Sequence, residues 1–162
     1  GGYINGSGIH IAGLTATSNK VYGNQIGLEN NPKFDNNPPH SNQNGILISD
    51  GASLNDIGGQ NAEYTNIICK NTHGISIQNA NENFIINNRI GTNFNDFPSL
   101  GNNIGINING NNDDAYKNVI GGNNVDHGNI FVGNSIAIQF HQGSIINDIN
   151  ISFNFFGIDR DD

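Results

Sequence analysis

Six residues in two segments offer this chain's best opportunity for recognition chemistry: Phe34, Asp35 and His40 in one, Phe94, Asp96 and Phe97 in the other. The first segment runs from Leu28 to Asn44 and also carries Pro38 and Pro39, while the second runs from Thr92 to Asn103 and carries Pro98. Aromatic rings beside carboxylates and amides suit a sugar, whose C–H face lies on a ring while its hydroxyls bond the polar atoms. The competing reading folds these phenylalanines back over the apolar wall beneath them.

Other chemistry has less to work with. Glycoside hydrolysis needs two carboxyl groups about 5–10 Å apart. Adjacent pairs occur at Asp113-Asp114 and at Asp161-Asp162, with Asp159 close by, and a solvated turn explains the first pair equally well. His10, His40, His73, His127 and His141 are scattered with no short His–His spacing, which is not the pattern of a zinc site. Calcium is the one ion that suits the hard oxygens of Asp159, Asp161 and Asp162, but the chain lacks a nonapeptide calcium repeat, and no cofactor is expected. Cys69 is the only cysteine, lies in the strand-like stretch Asn66 to Asn71, and reads as a small buried hydrophobe.

The scaffold that must position these groups is set by composition and repetition. Only 35% of the 162 residues are hydrophobic and 12% charged, with 22 glycines, Asn about a fifth of the chain and Ile about a sixth. Isoleucine favours pleated strands and asparagine favours tight turns, so the balance points to strands rather than helices. The net charge of −8, with six Lys and Arg, lacks the clustered cations needed to bind nucleic acid or an anionic membrane surface. No apolar run approaches the length of a membrane span. The chain has no methionine and begins inside a repeat-like pattern, so a piece of a longer protein is expected.

Gly-Ile-x-Ile recurs at Gly8-Ile9-His10-Ile11, Gly45-Ile46-Leu47-Ile48, Gly74-Ile75-Ser76-Ile77 and Gly105-Ile106-Asn107-Ile108, with a degenerate copy at Ser135-Ile136-Ala137-Ile138. The first isoleucines are 37, 29, 31 and 30 residues apart. A longer period overlies this one. Asn19 to Gly27 matches Asn83 to Gly91, 64 residues on, and Ile151 to Gly157 matches again. Between those copies, Asp56-Ile57-Gly58-Gly59 with Asn66 to Asn71 pairs with Val119-Ile120-Gly121-Gly122 and Asn129 to Asn134. Two alternating units of about 30 residues therefore fill the chain.

Each unit holds strands too short for a sheet of its own. Stacking successive units pairs those strands in parallel and runs isoleucine ladders up the interior, the pattern of a right-handed single-stranded parallel β-helix of about five to six coils. A single β-helix domain over 1–162 is expected. Asn24, Asn88 and Asn154 hold one repeat position and Asn71 and Asn134 another. They are expected to be structural ladders, chosen because asparagine tolerates left-handed corners and its amide can bond the next coil.

Arg89-Ile90-Gly91-Thr92-Asn93, Ser99-Leu100-Gly101-Asn102, Val119-Ile120-Gly121-Gly122 and Asn129 to Asn134 resemble the secreted bacterial β-helix repeat proteins of the pectate-lyase-like superfamily. The resemblance covers about Gly8 to Gly157 and implies the β-helix fold. It departs at Asn93, where the pattern has an acidic residue and the flanking copies have Glu29 and Asp159. The superfamily spans lyases, hydrolases, epimerases, tailspikes and surface proteins, so fold alone does not choose an activity. Lyases of this group use an Arg or Lys base near calcium-holding carboxylates, for which Arg89, close to Asp96, is the best-placed cation. The Gly-His-Gly motif of galacturonan hydrolases has only Asp126-His127-Gly128 as a counterpart, and the epimerases' Asp-Pro-His is absent.

These readings lead to a non-catalytic module of a secreted or cell-surface protein, a rigid scaffold or adhesive surface whose partner is a polysaccharide or a host or cell-surface glycan. The alternative is a polysaccharide-active lyase or glycoside hydrolase.

Overall fold

The computed structural model describes residues 6–27, 42–93, 100–110, 115–141 and 145–157, and it is a parallel β-helix. Coil 1 holds β1 (Ser7–Ala12), β2 (Lys20–Val21) and β3 (Gln25–Ile26); coil 2 holds β4 (Asn44–Ser49), β5 (Asp56–Ile57) and β6 (Ile67–Ile68). Coil 3 holds β7 (His73–Gln78), β8 (Phe84–Ile85) and β9 (Arg89–Ile90). Coil 4 adds a strand: β10 (Ile104–Asn109), β11 (Ala115–Tyr116), β12 (Val119–Gly121) and β13 (Ile130–Phe131). Coil 5 repeats it with β14 (Ile136–Phe140), β15 (Ile146–Asn147), β16 (Asn150–Ser152) and β17 (Phe155–Phe156).

Three five-stranded parallel sheets run along the axis: β1-β4-β7-β10-β14, β2-β5-β8-β12-β16 and β3-β6-β9-β13-β17. The first lines the interior with two apolar columns and the other two with one each. In the first, Ile9, Ile46, Ile75, Ile106 and Ile138 are register partners, and so are Ile11, Ile48, Ile77, Ile108 and Phe140. In the second, the column is Val21, Ile57, Ile85, Ile120 and Ile151. The third reads Ile26, Ile68, Ile90, Phe131 and Phe156, the last two rings stacked 5.1 Å apart. In the middle coils these isoleucines are wholly buried, each contributing about 1.5–3 kcal/mol of apolar transfer.

Asparagine holds the corners. One ladder runs Asn19, Asn55, Asn83, Asn118; a second runs Asn24, Asn66, Asn88, Asn129, Asn154; a third runs Asn42, Asn71, Asn102, Asn134. In each, the Nδ2 amide donates to Oδ1 of the asparagine one coil further on, at 2.9–3.1 Å. The backbone N–H of the same residue usually donates to that Oδ1 as well, as Asn55 does to Asn83 at 3.1 Å and Asn88 to Asn129 at 3.0 Å. The second Nδ2 hydrogen returns to a backbone carbonyl, for instance Asn83 to Ala52 and Asn129 to Ile85. The expected grouping of Asn24, Asn88 and Asn154 thus holds, with Asn66 and Asn129 interleaved from the alternate coils.

Two expectations need correcting. At the predicted ladder positions the left-handed residue is the one before the asparagine, not the asparagine itself: Gly23, Asn87, Phe153, Lys70 and Gly133, which precede Asn24, Asn88, Asn154, Asn71 and Asn134, have φ between 52° and 76°. The asparagine is there for its amide. The second correction concerns the fifth Gly-Ile-x-Ile copy, where Ile138, not Ile136, stands opposite Ile106, while Ile136 pairs with Ile104. Period-two alternation satisfies either register. The ladder decides it, because Asn134 must accept from Asn102. The motif's glycine has a related cause: a Cβ on Gly45, Gly74 or Gly105 would come within 2.6 Å of the next coil's carbonyl oxygen.

The two unit types differ at the corner between the second and third sheets. Coils 1 and 3 turn through single left-handed residues, Gly23 and Asn87, whereas coils 2 and 4 insert a 3₁₀ turn, Ala62–Tyr64 and Val125–His127. Each insert leans back on the preceding coil, with Gly23 N–H donating to Tyr64 O and Asn87 N–H to His127 O.

Candidate functional site

Phe34, Asp35, His40, Phe94, Asp96 and Phe97 lie outside the described residues, as do Asp113, Asp114, Asp159, Asp161 and Asp162. Their points of departure are described. The two segments leave after β3 and β9, which occupy the same sheet two coils apart, or about 10 Å along the axis.

The other sequence candidates have structural partners. Arg89, half-buried on β9 between Ile67 and Ile130, donates from Nε to Asn93 O at 3.0 Å. His10 Nε2 is 2.9 Å from Ser49 Oγ, which is 2.8 Å from Asp50 Oδ2. The serine stands between imidazole and carboxylate, whereas activation of a serine requires the imidazole in the middle. His73 Nδ1 contacts Asn44 Oδ1 at 3.0 Å, and burial lowers its pKa. Cys69 is fully buried, its thiol donating to Thr92 O, and burial pushes its pKa up to about 12. Among the described residues no three His, Cys, Asp or Glu side chains gather as metal ligands.

The structure reveals a site that sequence reading missed. A cleft of about 370 Å³ opens where the 3₁₀ insert of coil 2 meets coils 1 and 3. One wall is aromatic: the rings of Tyr22 and Tyr64 stack with centroids 4.5 Å apart and planes 15° apart. Phe84 and Ile86 of coil 3 face into the cleft as well. Tyr22 reaches it as the residue just past β2, on the outward side of the alternation that buries Val21. Asp56 reaches it from β5, outward next to buried Ile57.

The polar groups are ordered around the rings. The Tyr22 hydroxyl donates to Asp56 Oδ2 at 3.1 Å, and burial, reinforced by the Asp56 carboxylate, raises the phenol's pKa. The phenol therefore stays protonated and remains a donor. Lys20, the register partner of Asp56, places its ammonium 6.0 Å from the Tyr22 ring centroid. Gln60 and Asn61 add amides at the rim. Asn87 of coil 3 fixes the loop by donating from Nδ2 to Gly59 O at 3.0 Å and Asn61 O at 3.2 Å. Gly59 lies under the aromatic pair: a Cβ there would be 3.0 Å from Tyr64 Cδ2 and 3.5 Å from Tyr22 Cε1. The site is a rigid aromatic platform with a carboxylate, an ammonium and two amides, suited to non-covalent recognition.

No family model, curated protein or solved structure matches this chain.

Proposed function

We propose that this chain is a non-catalytic module of a secreted or cell-surface protein, similar to the β-helix repeat proteins of the pectate-lyase-like superfamily, serving as a rigid scaffold with an adhesive, glycan-binding surface. The observation that carries the reading is how the polar side chains are used. The buried polar residues of the described structure are asparagines, with a few serines and threonines, and most of the asparagines are bonded from coil to coil along the axis. The strongest pKa shift, that of Cys69, falls on a thiol enclosed in the core, whereas a catalytic group is expected in a cleft that substrate can reach. The cleft at Tyr22 and Tyr64 has the composition of a recognition surface.

Incubation with a panel of polysaccharides, read for new reducing ends and for unsaturated products, tests the non-catalytic part. No turnover is expected. Turnover abolished by Arg89→Ala or Asp96→Ala would overturn it and restore the lyase or hydrolase reading. The adhesive part predicts retention of the chain on at least one immobilised glycan.

A further inference from the structure

The chain contains its own control for the Tyr22–Tyr64 cleft. Coils 2 and 4 build the same corner, each with a 3₁₀ insert whose last residue accepts a backbone hydrogen bond from the coil before. Register equates Asp56 with Val119 across β5, β8 and β12, and the same alignment equates Tyr22 with Ile86. Tyr64 corresponds to His127, whose carbonyl accepts from Asn87 as that of Tyr64 accepts from Gly23. The corner therefore forms with Ile, His and Val where the cleft has Tyr, Tyr and Asp. Turn geometry does not require the aromatic pair or the carboxylate, which leaves them to be explained by what they contact.

Their chemistry narrows the ligand. Stacked tyrosines offer a flat apolar face, and a pyranose presents a matching C–H face. Asp56 Oδ2 is engaged by Tyr22, and no described residue donates to Oδ1, which is left to accept from a hydroxyl. Gln60 and Asn61 can both donate and accept, as a rim of sugar hydroxyls requires. A carboxylate in the cleft and a net charge of −8 oppose an anionic sugar. Lys20, already close to the Tyr22 ring, opposes a cationic ligand in the same way.

We infer that the Tyr22–Tyr64 cleft binds a neutral pyranose unit of a glycan, its C–H face on the tyrosine platform and its hydroxyls on Asp56 and the amides of Gln60 and Asn61. This rests on the adhesive reading above and gives it a location and a sugar class. The asparagine clamp from Asn87 holds the loop before the ligand arrives, so little ordering cost falls on binding.

The test is a titration of the 162-residue chain with cellohexaose, mannohexaose and xylohexaose, and separately with hexagalacturonate, followed by calorimetry and by the tyrosine ring resonances. The expected result is saturable binding of at least one neutral hexasaccharide that shifts the Tyr22 and Tyr64 signals, with hexagalacturonate at least tenfold weaker. Tyr64→His copies the coil 4 corner and is expected to keep the fold by far-ultraviolet circular dichroism while weakening binding at least tenfold. Asp56→Asn should also weaken it. Neutral-glycan binding that is unchanged in Tyr64→His would overturn this site while leaving the adhesive reading intact. Preference for hexagalacturonate would overturn the sugar class. Absence of binding to any of the four would overturn the inference, and the adhesive reading falls with it only if the chain is also not retained on immobilised glycans.

Discussion

Replacing Asn83 with leucine tests the ladders at a fully buried rung. The side chain is fully enclosed and makes four hydrogen bonds: Oδ1 accepts from the Asn55 backbone N–H and from Asn55 Nδ2, while Nδ2 donates to Ala52 O and Asn118 Oδ1. Leucine is close in size, so no large cavity opens and the change isolates polarity. Ala52 O keeps the Asn81 N–H, and Asn118 Oδ1 keeps the Asn83 backbone N–H. The Asn55 backbone N–H loses its side-chain acceptor inside the protein. Four bonds at about 1 kcal/mol each, plus one stranded buried donor at about 1–2 kcal/mol, give a loss of about 5–6 kcal/mol. That is a large part of the about 5–15 kcal/mol that holds a domain folded.

Urea unfolding followed at 218 nm (about the β-sheet minimum) measures this loss, provided the transition is single and its slope unchanged. Asn83→Asp adds an internal check. A carboxylate keeps the acceptor role toward Asn55 but replaces the two-donor Nδ2 with one negatively charged oxygen facing Ala52 O and Asn118 Oδ1. Burial raises that carboxyl's folded pKa above its unfolded value, so its stability deficit should be smallest below the unfolded pKa and grow as pH rises through the folded one. A loss under 1 kcal/mol for Asn83→Leu, or an Asn83→Asp variant indifferent to pH between 3 and 7 (roughly the carboxyl titration range), would refute the ladder argument.

Three further outcomes follow from the same structure. Ile75→Asn and Ile106→Asn place an unpartnered amide in a wholly buried aliphatic column and should each cost about 3–5 kcal/mol by urea unfolding. Cys69, with its pKa pushed up to about 12, should resist alkylation in the native chain at pH 8 and react only at the rate of unfolding, as mass spectrometry will show. The Tyr22 phenol, raised above 10.0 mainly by burial and then by Asp56, contributes stability that is complete below pH 10 and lost as pH rises through its folded pKa. Spectrophotometric titration should therefore show a late-ionising component that is missing in Tyr22→Phe.

Four of the five long strands were readable from Gly-Ile-x-Ile, because Ile9, Ile46, Ile75 and Ile106 do stand in one column. The motif failed at Ser135-Ile136-Ala137-Ile138 for a physical reason. Isoleucines two apart point the same way, so a slip of two residues preserves the inside–outside pattern, and only the distance from Asn134 distinguishes the registers. The alternating unit types were also legible, and they correspond to corners with and without a 3₁₀ insert. The tyrosine cleft was not. Tyr22 and Tyr64 are brought together by the path of the coil 2 insert, which carries no periodic signal, and Asp56 joins them only through register with Lys20. The one available hint was the contrast between Tyr64 and His127 at matched positions of the two inserts.

The central claim is that the asparagine ladders hold the coils in register, and the fifth coil tests it most directly. The ladder places Asn107 opposite Gln139, whereas the repeat motif alone would place it opposite Ala137. Asn107, Ala137 and Gln139 alternate with the inward isoleucines of their strands, so the two cysteine pairs differ in register and not in face. Register partners in adjacent parallel strands are about 4.8 Å apart at Cα, within disulfide range, while a two-residue offset is about 8 Å and beyond it. Oxidation of the Asn107→Cys/Gln139→Cys chain should form an intramolecular disulfide, and the Asn107→Cys/Ala137→Cys chain should not. Efficient closure of the second pair and not the first would contradict the account.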